Sequence, residues 1–388
     1  MMIEVHVHRT ILTKLLVSAS IGACCLLPQT AAAAGTQDQV VQIFTDTLKA
    51  AGAKGVEQDD ITGDDSKFTL SGVKIDDGKA DDNFTIEEIT FIGAKPTADG
   101  GIAADEVDVN GLELTTPKGG STAKTIKIMG YVSAAPAKIK VPGASHFDRF
   151  EATNLEGGDD ANSVTVSYVL MTAADYANGL PHKGSIEIKG LVVPVKADDP
   201  QMAEVVALGY KELNIDATVS GSWDEKAGRA VLDGLTINAQ NAGGIQLSVV
   251  LGGVTPDVAK QLAAAKGDAN VTLGAMQGVL VESASLKIDN NSLFQRELTE
   301  QAKKQGTTSD QLLHQGTAML PLLLTSIQNP AFEKKVADAV NAFVASPHSL
   351  TVKVTPAQPV PVAQIIGVAS AAPQTLPDVL GVEVIANK

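Results

Sequence analysis

Aromatic side chains are scarce: they make up 4% of the 388 residues, and Trp223 is the one tryptophan. Carbohydrate sites built on stacked aromatic platforms need more rings than this, so that mode of binding is disfavoured. Cysteine is almost as rare. The two cysteines, Cys24 and Cys25, both lie in an early apolar stretch. If that stretch is removed on export, the mature chain has no disulfide, no thiolate nucleophile and no cysteine metal site. Positive charge is also in short supply, with 30 Lys and Arg against 45 Asp and Glu and a net charge of −15. Such a surface repels phosphate backbones and anionic membranes, which argues against nucleic-acid binding and electrostatic membrane docking.

Recognisable chemistry is missing as well. The chain has no HExxH, no Cys/His zinc pairing, no GxGxxG and no Walker loop. Gly143-Ala144-Ser145-His146 lacks the second glycine of a nucleophile elbow. The acidic clusters at 59–65 and 76–88 do not fit the EF-hand register and read as turn-forming Asp and Gly. No cofactor, metal site or catalytic residue is therefore expected. Beyond the first 34 residues, no stretch approaches the roughly 20 apolar residues of a membrane-spanning helix.

Those first 34 residues read as a secretory signal. Arg9 and Lys14 give a positive start, residues 15–27 an apolar core, and Ala32-Ala33-Ala34 a small-residue cleavage site. A periplasmic mature chain follows, without a transmembrane anchor. The alternatives are secretion and lipid anchoring through Cys24, because Ile21-Gly22-Ala23-Cys24 loosely matches a lipobox.

Against these absences stands a repeated phrase. Five stretches read Gly-(Leu/Val)-x-(Ile/Leu/Val), beginning at Gly72, Gly111, Gly190, Gly234 and Gly278. Asn154-Leu155 is a degraded sixth copy inside the longest gap. A recurring strand with glycine suggests one long sheet built from similar units rather than a catalytic pocket. Around the copies the apolar period is two. Phe68 and Leu70 alternate before Gly72, and Val73 and Ile75 after it, so the glycine marks a phase step or a bulge. Residues 84–91, 107–114, 164–171 and 185–195 read as further strands with one wet face, as suits an antiparallel sheet. Residues 213–223, 229–238 and 244–252 form the clearest meander, and a long strand runs over 278–288.

Helices are expected where caps and a 3.6-residue period agree. Thr36 to Gln39 reads as a capping box ahead of Val40, Val41, Phe44 and Leu48 on one face. A short helix follows Asp199-Pro200, and another follows Thr255-Pro256. Capping patterns at Ser292/Gln295, Thr308/Gln311 and Asn329-Pro330 open three helices within 291–345. Beyond them lie a strand at 350–354, a proline-punctuated tail, and a terminal strand at Val382 and Val384. The expected fold is α+β and mainly antiparallel β: a long curled meander sheet with covering helices and a helical C-terminal subdomain. Its segments are 1–34 (signal), 35–198 (β-rich), 199–290 (second meander) and 291–388 (helical, with terminal strands).

The stretch 213–252, with Asp233-Gly234-Leu235 and the strand led by Gly243-Gly244, resembles the strand-pair repeats of AsmA-like envelope proteins. The stretch from Ser285-Leu286-Lys287-Ile288-Asp289 through Phe343 to Pro359-Val360-Pro361 resembles a family of exported alphaproteobacterial proteins without assigned function. The AsmA resemblance implies a periplasmic β groove that handles lipid. The missing membrane anchor departs from that pattern and counts against a bridge-type transport role.

Three readings of function stand. The first is a non-enzymatic envelope protein holding a lipid or other apolar ligand, because a sheet with one apolar face must bury it against something. The candidate lining is Ile245, Leu247, Val249 and Leu251, with Leu320, Leu322 and Leu323 from the apolar run around Pro321. The second is a structural module whose partner is another envelope protein. The third is a secreted hydrolase using paired carboxylates.

Overall fold

The computed structural model describes residues 35–388 except 80, 141–142, 160–162 and 178–179. The segment 1–34, expected to be an export signal, and both cysteines lie outside the described residues. The fold is α+β with an open, mainly antiparallel sheet. The chain divides into two compact units, one ending at Pro194 and the other running Val195–Lys388.

The first unit opens with α1 (Thr36–Ala50). The strands β1 (Gly55–Glu57), β2 (Asp60–Asp64), β3 (Lys67–Asp76), β4 (Asn83–Ile92) and β5 (Lys95–Pro96) follow. The unit continues with β6 (Ile102–Thr116), β7 (Gly119–Val132), β8 (Arg149–Gly158), β9 (Val164–Ala177) and β10 (Leu180–Pro194). Every pairing is antiparallel and follows chain order. β1 and β2 lie end to end along β3, and β5 extends β4 beside β6. From β6 to β10 each strand pairs with the next.

The repeated glycine explains how these strands stay in step. Gly72, Gly111 and Gly190 adopt φ of 61°, 61° and 60°, and the degraded copy, Asn154, adopts 48°. The register places them in one row across β3, β6, β8 and β10, with Glu87, Lys124 and Ser167 between them on the intervening strands. All strands step together, so pairing continues without an extra residue. The feature is therefore a shared left-handed step and not a bulge. It turns the next side chain to the same face, so Phe68 and Leu70 before Gly72 and Val73 and Ile75 after it are all buried. Glycine is favoured at these positions by the left-handed backbone, and a Cβ at Gly111 or Gly190 would also have to displace the side chain of Glu87 (Cδ at 2.3 Å) or Ser167 (Oγ at 2.5 Å).

The buried face forms the core. Phe68 stacks on Phe91 with ring centroids 5.1 Å apart, and Phe44 of α1 meets Phe91 edge-on at 5.6 Å. Val40 is fully buried, and Val41, Phe44 and Leu48 pack beside it, as their spacing predicts. The expected box at Thr36 does not form. Gly35 is the cap residue and carries no capping side chain; instead Gln37 N–H donates to Asp65 Oδ1 at 2.9 Å, from the β2–β3 turn. Asp64 in the same turn accepts from the amides of Ser66 and Lys67, so this acidic cluster works as turn and cap.

The second unit has a 3₁₀ turn (Pro200–Met202) and the short helix α2 (Ala203–Ala207), ended by Gly209 at φ 80°. The short helix expected after Asp199-Pro200 is thereby confined to these two pieces. The meander β11 (Glu212–Asp224), β12 (Arg229–Ala239) and β13 (Gly243–Gly252) follows. After it come α3 (Pro256–Ala265), α4 (Ala269–Met276) and β14 (Leu280–Asn290). Next are α5 (Leu293–Lys304), α6 (Ser309–Leu324), α7 (Pro330–Ala345), β15 (Ser349–Val354) and β16 (Val360–Pro361). The unit ends with α8 (Val362–Ala371), α9 (Leu376–Val379) and β17 (Val382–Ala386). The strand order is β11-β12-β13-β14-β15-β17, with β16 beside β14 where β15 ends. Because β14 pairs with β15, the stretches 199–290 and 291–388 share one sheet.

Caps at Asp199, Thr255, Thr308 and Asn329 form as their sequences predict, and Thr308 with Gln311 makes the full box. At α5 the expected Ser292 cap is replaced by Asn290, whose Oδ1 accepts from Phe294 N at 2.8 Å. Ser292 instead donates its hydroxyl to Asn241 O. The proline-punctuated tail contains α8, which begins immediately after Pro361 and which the sequence pattern does not mark as a helix.

Candidate functional site

The site is built on β12 to β15. Here the glycine phrase takes a different form: β12 carries a true irregularity between Leu232 and Leu235, where Asp233 and Gly234 face Ser248 alone on β13. A second shift lies between Val250 and Leu251 against β14. Between these shifts the alternation is regular, and it separates two faces.

One face is apolar. Ile237, Ile245, Ile288 and Leu350 are successive partners across β12, β13, β14 and β15. Leu235, Leu247, Leu286 and Val352 form the neighbouring row. In a well-covered sheet such rows would be buried. Here Ile237 is 39%, Ile245 45%, Leu286 37% and Ile288 46% exposed. Contiguous exposed apolar surface of this kind marks an interaction site more often than scattered single residues do.

The expected lining is therefore divided. Ile245, Leu247, Val249 and Leu251 share β13, and its ladder brings Ile245 and Leu247 together with Ile237, Leu286 and Ile288, which sequence reasoning did not include. The alternation of Leu286 and Ile288 around Lys287 was the available signal. Leu320, Leu322 and Leu323 sit on α6, which packs chiefly on α5 and α7. The helix continues through Pro321 to Leu324, with Leu322 and Leu323 at 70% and 61% exposed. Leu320 is partly buried.

The other face is polar and holds a concavity of about 410 Å³. Thr236, Gln246, Lys287, Thr351 and Ile385 lie in one cross-strand row of it, and Ser248, Ser285 and Lys353 in the next. Lys287 Nζ lies 2.9 Å from Asp289 Oδ1, and Asp289 Oδ2 accepts from Gln246 Nε2 at 2.9 Å.

Several polar groups elsewhere have structural partners. Ser145 Oγ accepts from Ala134 N at 2.8 Å, and the His146 ring lies 4.8 Å from that of Tyr176. On the wet face of the first unit Lys127 Nζ bridges Glu106 at 2.6 Å and Asp108 at 3.2 Å. The hydrogen bond from Lys127 holds the Glu106 carboxyl below its ordinary value, whereas burial pushes the Asp108 carboxyl up. Lys127 thus ties the two carboxylates of neighbouring positions on β6 into one ion-pair network.

The architecture is that of an α+β protein of antiparallel meanders, with an apolar sheet face in its second unit that is partly exposed. Residues 236–387 match a family model described as "Uncharacterized protein", over less than half of the chain. No curated protein matches the sequence.

Proposed function

We propose that this chain is a non-enzymatic envelope protein that works in the periplasm and holds a lipid or another apolar ligand against the sheet of its second unit. One observation carries the reading: Ile237, Ile245, Leu286 and Ile288 are neighbours in the ladder and stay 37% to 46% exposed. Completing the burial of such side chains is worth roughly 1 kcal/mol each, so four supply a few kcal/mol. That is enough for weak holding of an acyl chain and too little for a tight lock, as suits a carrier. The likeness of 213–252 to AsmA-like strand pairs and the export signal at the start of the sequence support the same setting.

The test is direct. The mature protein is purified without detergent, denatured, and its extract analysed for lipid by mass spectrometry; a fluorescent fatty acid is titrated in parallel. Co-purified lipid and saturable binding that Ile245→Glu with Ile288→Glu abolishes are expected. An empty extract together with no fatty-acid binding would refute the proposal.

A second reading draws on a different patch. Met319, Leu322 and Leu323 on α6 are 54%, 70% and 61% exposed and fall at i, i+3 and i+4 on one helical face. They suit a structural or interaction module whose partner is another envelope protein, and crosslinking from position 322 in cells would identify that protein.

A further inference from the structure

Besides the apolar face, we infer that the polar concavity of the second unit is a binding site for a small polar anion carrying a carboxylate or phosphate. The bulge that places Asp233 and Gly234 against Ser248 opens the floor, and a Cβ built at Gly234 meets nothing within 4 Å. Its volume of about 410 Å³ lies within the range of small-molecule sites.

Two features of the lining point to an anion. The first is charge. Lys287 and Lys353 stand on adjacent strands in neighbouring rows, with Ser285 opposite Lys353 and Thr351 opposite Lys287. Asp289 already neutralises Lys287 at 2.9 Å. Lys353 forms no ion pair among the described residues, although Glu383 faces it on β17 and Asp233 lies at the rim. One ammonium is thus uncommitted.

The second feature is a set of hydroxyls that line the cavity without a hydrogen-bond partner among the described residues. Thr351 is 7% exposed and lines the cavity, yet its hydroxyl bonds to no protein group among the described residues. Ser248, Ser285 and Thr236 present further hydroxyls to the same space. Thr351 Oγ1 is not sealed from solvent, so it and the neighbouring hydroxyls are open to a guest in the cavity. Hydroxyl donors grouped around a free ammonium match an oxyanion, whose oxygens accept several charge-assisted hydrogen bonds at once. An apolar or cationic guest would leave those donors unmatched.

The experiment titrates the folded chain separately with inorganic phosphate and with acetate at low ionic strength, reading amide NMR shifts of Ser248, Ser285 and Thr351. Saturable shifts at millimolar anion are expected. Lys353→Gln should weaken binding about tenfold, the loss of one charge-assisted bond. Gly234→Leu, whose side chain fills the open floor, should abolish it. Thr351→Val, nearly isosteric, serves as the third variant if the glycine replacement alters the circular dichroism. Response to phosphate alone would assign a phosphate site, and response to both anions a general oxyanion site. No saturable shift with either anion, or binding that survives both Lys353→Gln and Thr351→Val, overturns the inference. The apolar-ligand reading concerns the other face and is judged by its own lipid assay.

Discussion

Single residues decide whether these strands can run in step. At Gly111 the backbone is left-handed and Glu87 occupies the place a Cβ would take. Gly111→Ala should cost about 1–2 kcal/mol from the dihedral alone, and more once Glu87 is displaced, as measured by urea denaturation. Asn154 performs the same step with φ of 48°, a conformation that Asn tolerates and a β-branched residue does not. The degraded copy was therefore legible in the sequence as a member of the repeat, whereas its row with Gly72, Gly111 and Gly190 required the register.

Charge at the residue scale gives a pH signature. Burial raises the Asp108 carboxyl, so the folded chain binds that proton more readily than the unfolded chain does. Its ionised form opposes folding at neutral pH, and the penalty fades as pH falls through the raised value. Glu106 behaves oppositely: its depressed value contributes stability above the ordinary carboxylate range, and this is lost as pH falls through the folded value. Asp108→Asn should therefore unfold at higher denaturant than the parent at neutral pH, with the advantage shrinking as pH falls through that raised value. A loss of stability at neutral pH would mean that pairing with Lys127 outweighs the burial.

At the scale of elements, caps and periods carried most of the information. Those at Thr255, Thr308 and Asn329 formed as written because each cap lies within its own helix. The cap of α1 comes from Asp65, 28 residues away from Gln37, and no local pattern could reveal it. Asp65→Ala should lower stability by about 1 kcal/mol and increase amide exchange in the first turn of α1, while Thr36→Ala should change little. Strand β7, and the extent of β8 around its repeat copy at Asn154, were not legible for a related reason. In β7 the alternation of Ile126 and Ile128 is lost at Met129 and Gly130, and β8 offers Phe150, Ala152 and Leu155. They are mixed with Lys124, Lys127, Glu151 and Glu156, and the phase of β8 breaks at Asn154. Pairing with well-marked neighbours holds them in the sheet, and that is a tertiary effect. The apolar face of β13 was readable from its own alternation. Its union with Ile237, Leu286 and Ile288 was not, because register between strands separated by α3 and α4 is not written locally.

At the scale of the whole chain, burial is unequally shared. The large cluster around Phe68, Leu70, Ile89 and Phe91 lies entirely in the first unit. The second unit buries few large side chains, Val254, Val279 and Val360 among them, and leaves its sheet face half open. Hydrophobic burial dominates folding free energy, so the second unit should open first. Trp223 makes this measurable: it is the only tryptophan, lies on β11, and donates its indole N–H to Val254 O at 2.8 Å. In urea its emission should shift at a lower concentration than the one at which amides of β3 and β4 lose exchange protection. Phe91→Ala should move the second transition by about 3–5 kcal/mol and leave the first almost in place. An apolar ligand on the open face binds only the folded unit, so at a hundredfold excess over its dissociation constant it should raise the stability read at Trp223 by about 2.7 kcal/mol. The β3 and β4 transition would not move with it. Equal shifts of both transitions would show that the units unfold together, and an unmoved tryptophan transition at saturating fatty acid would leave the open face without its proposed occupant.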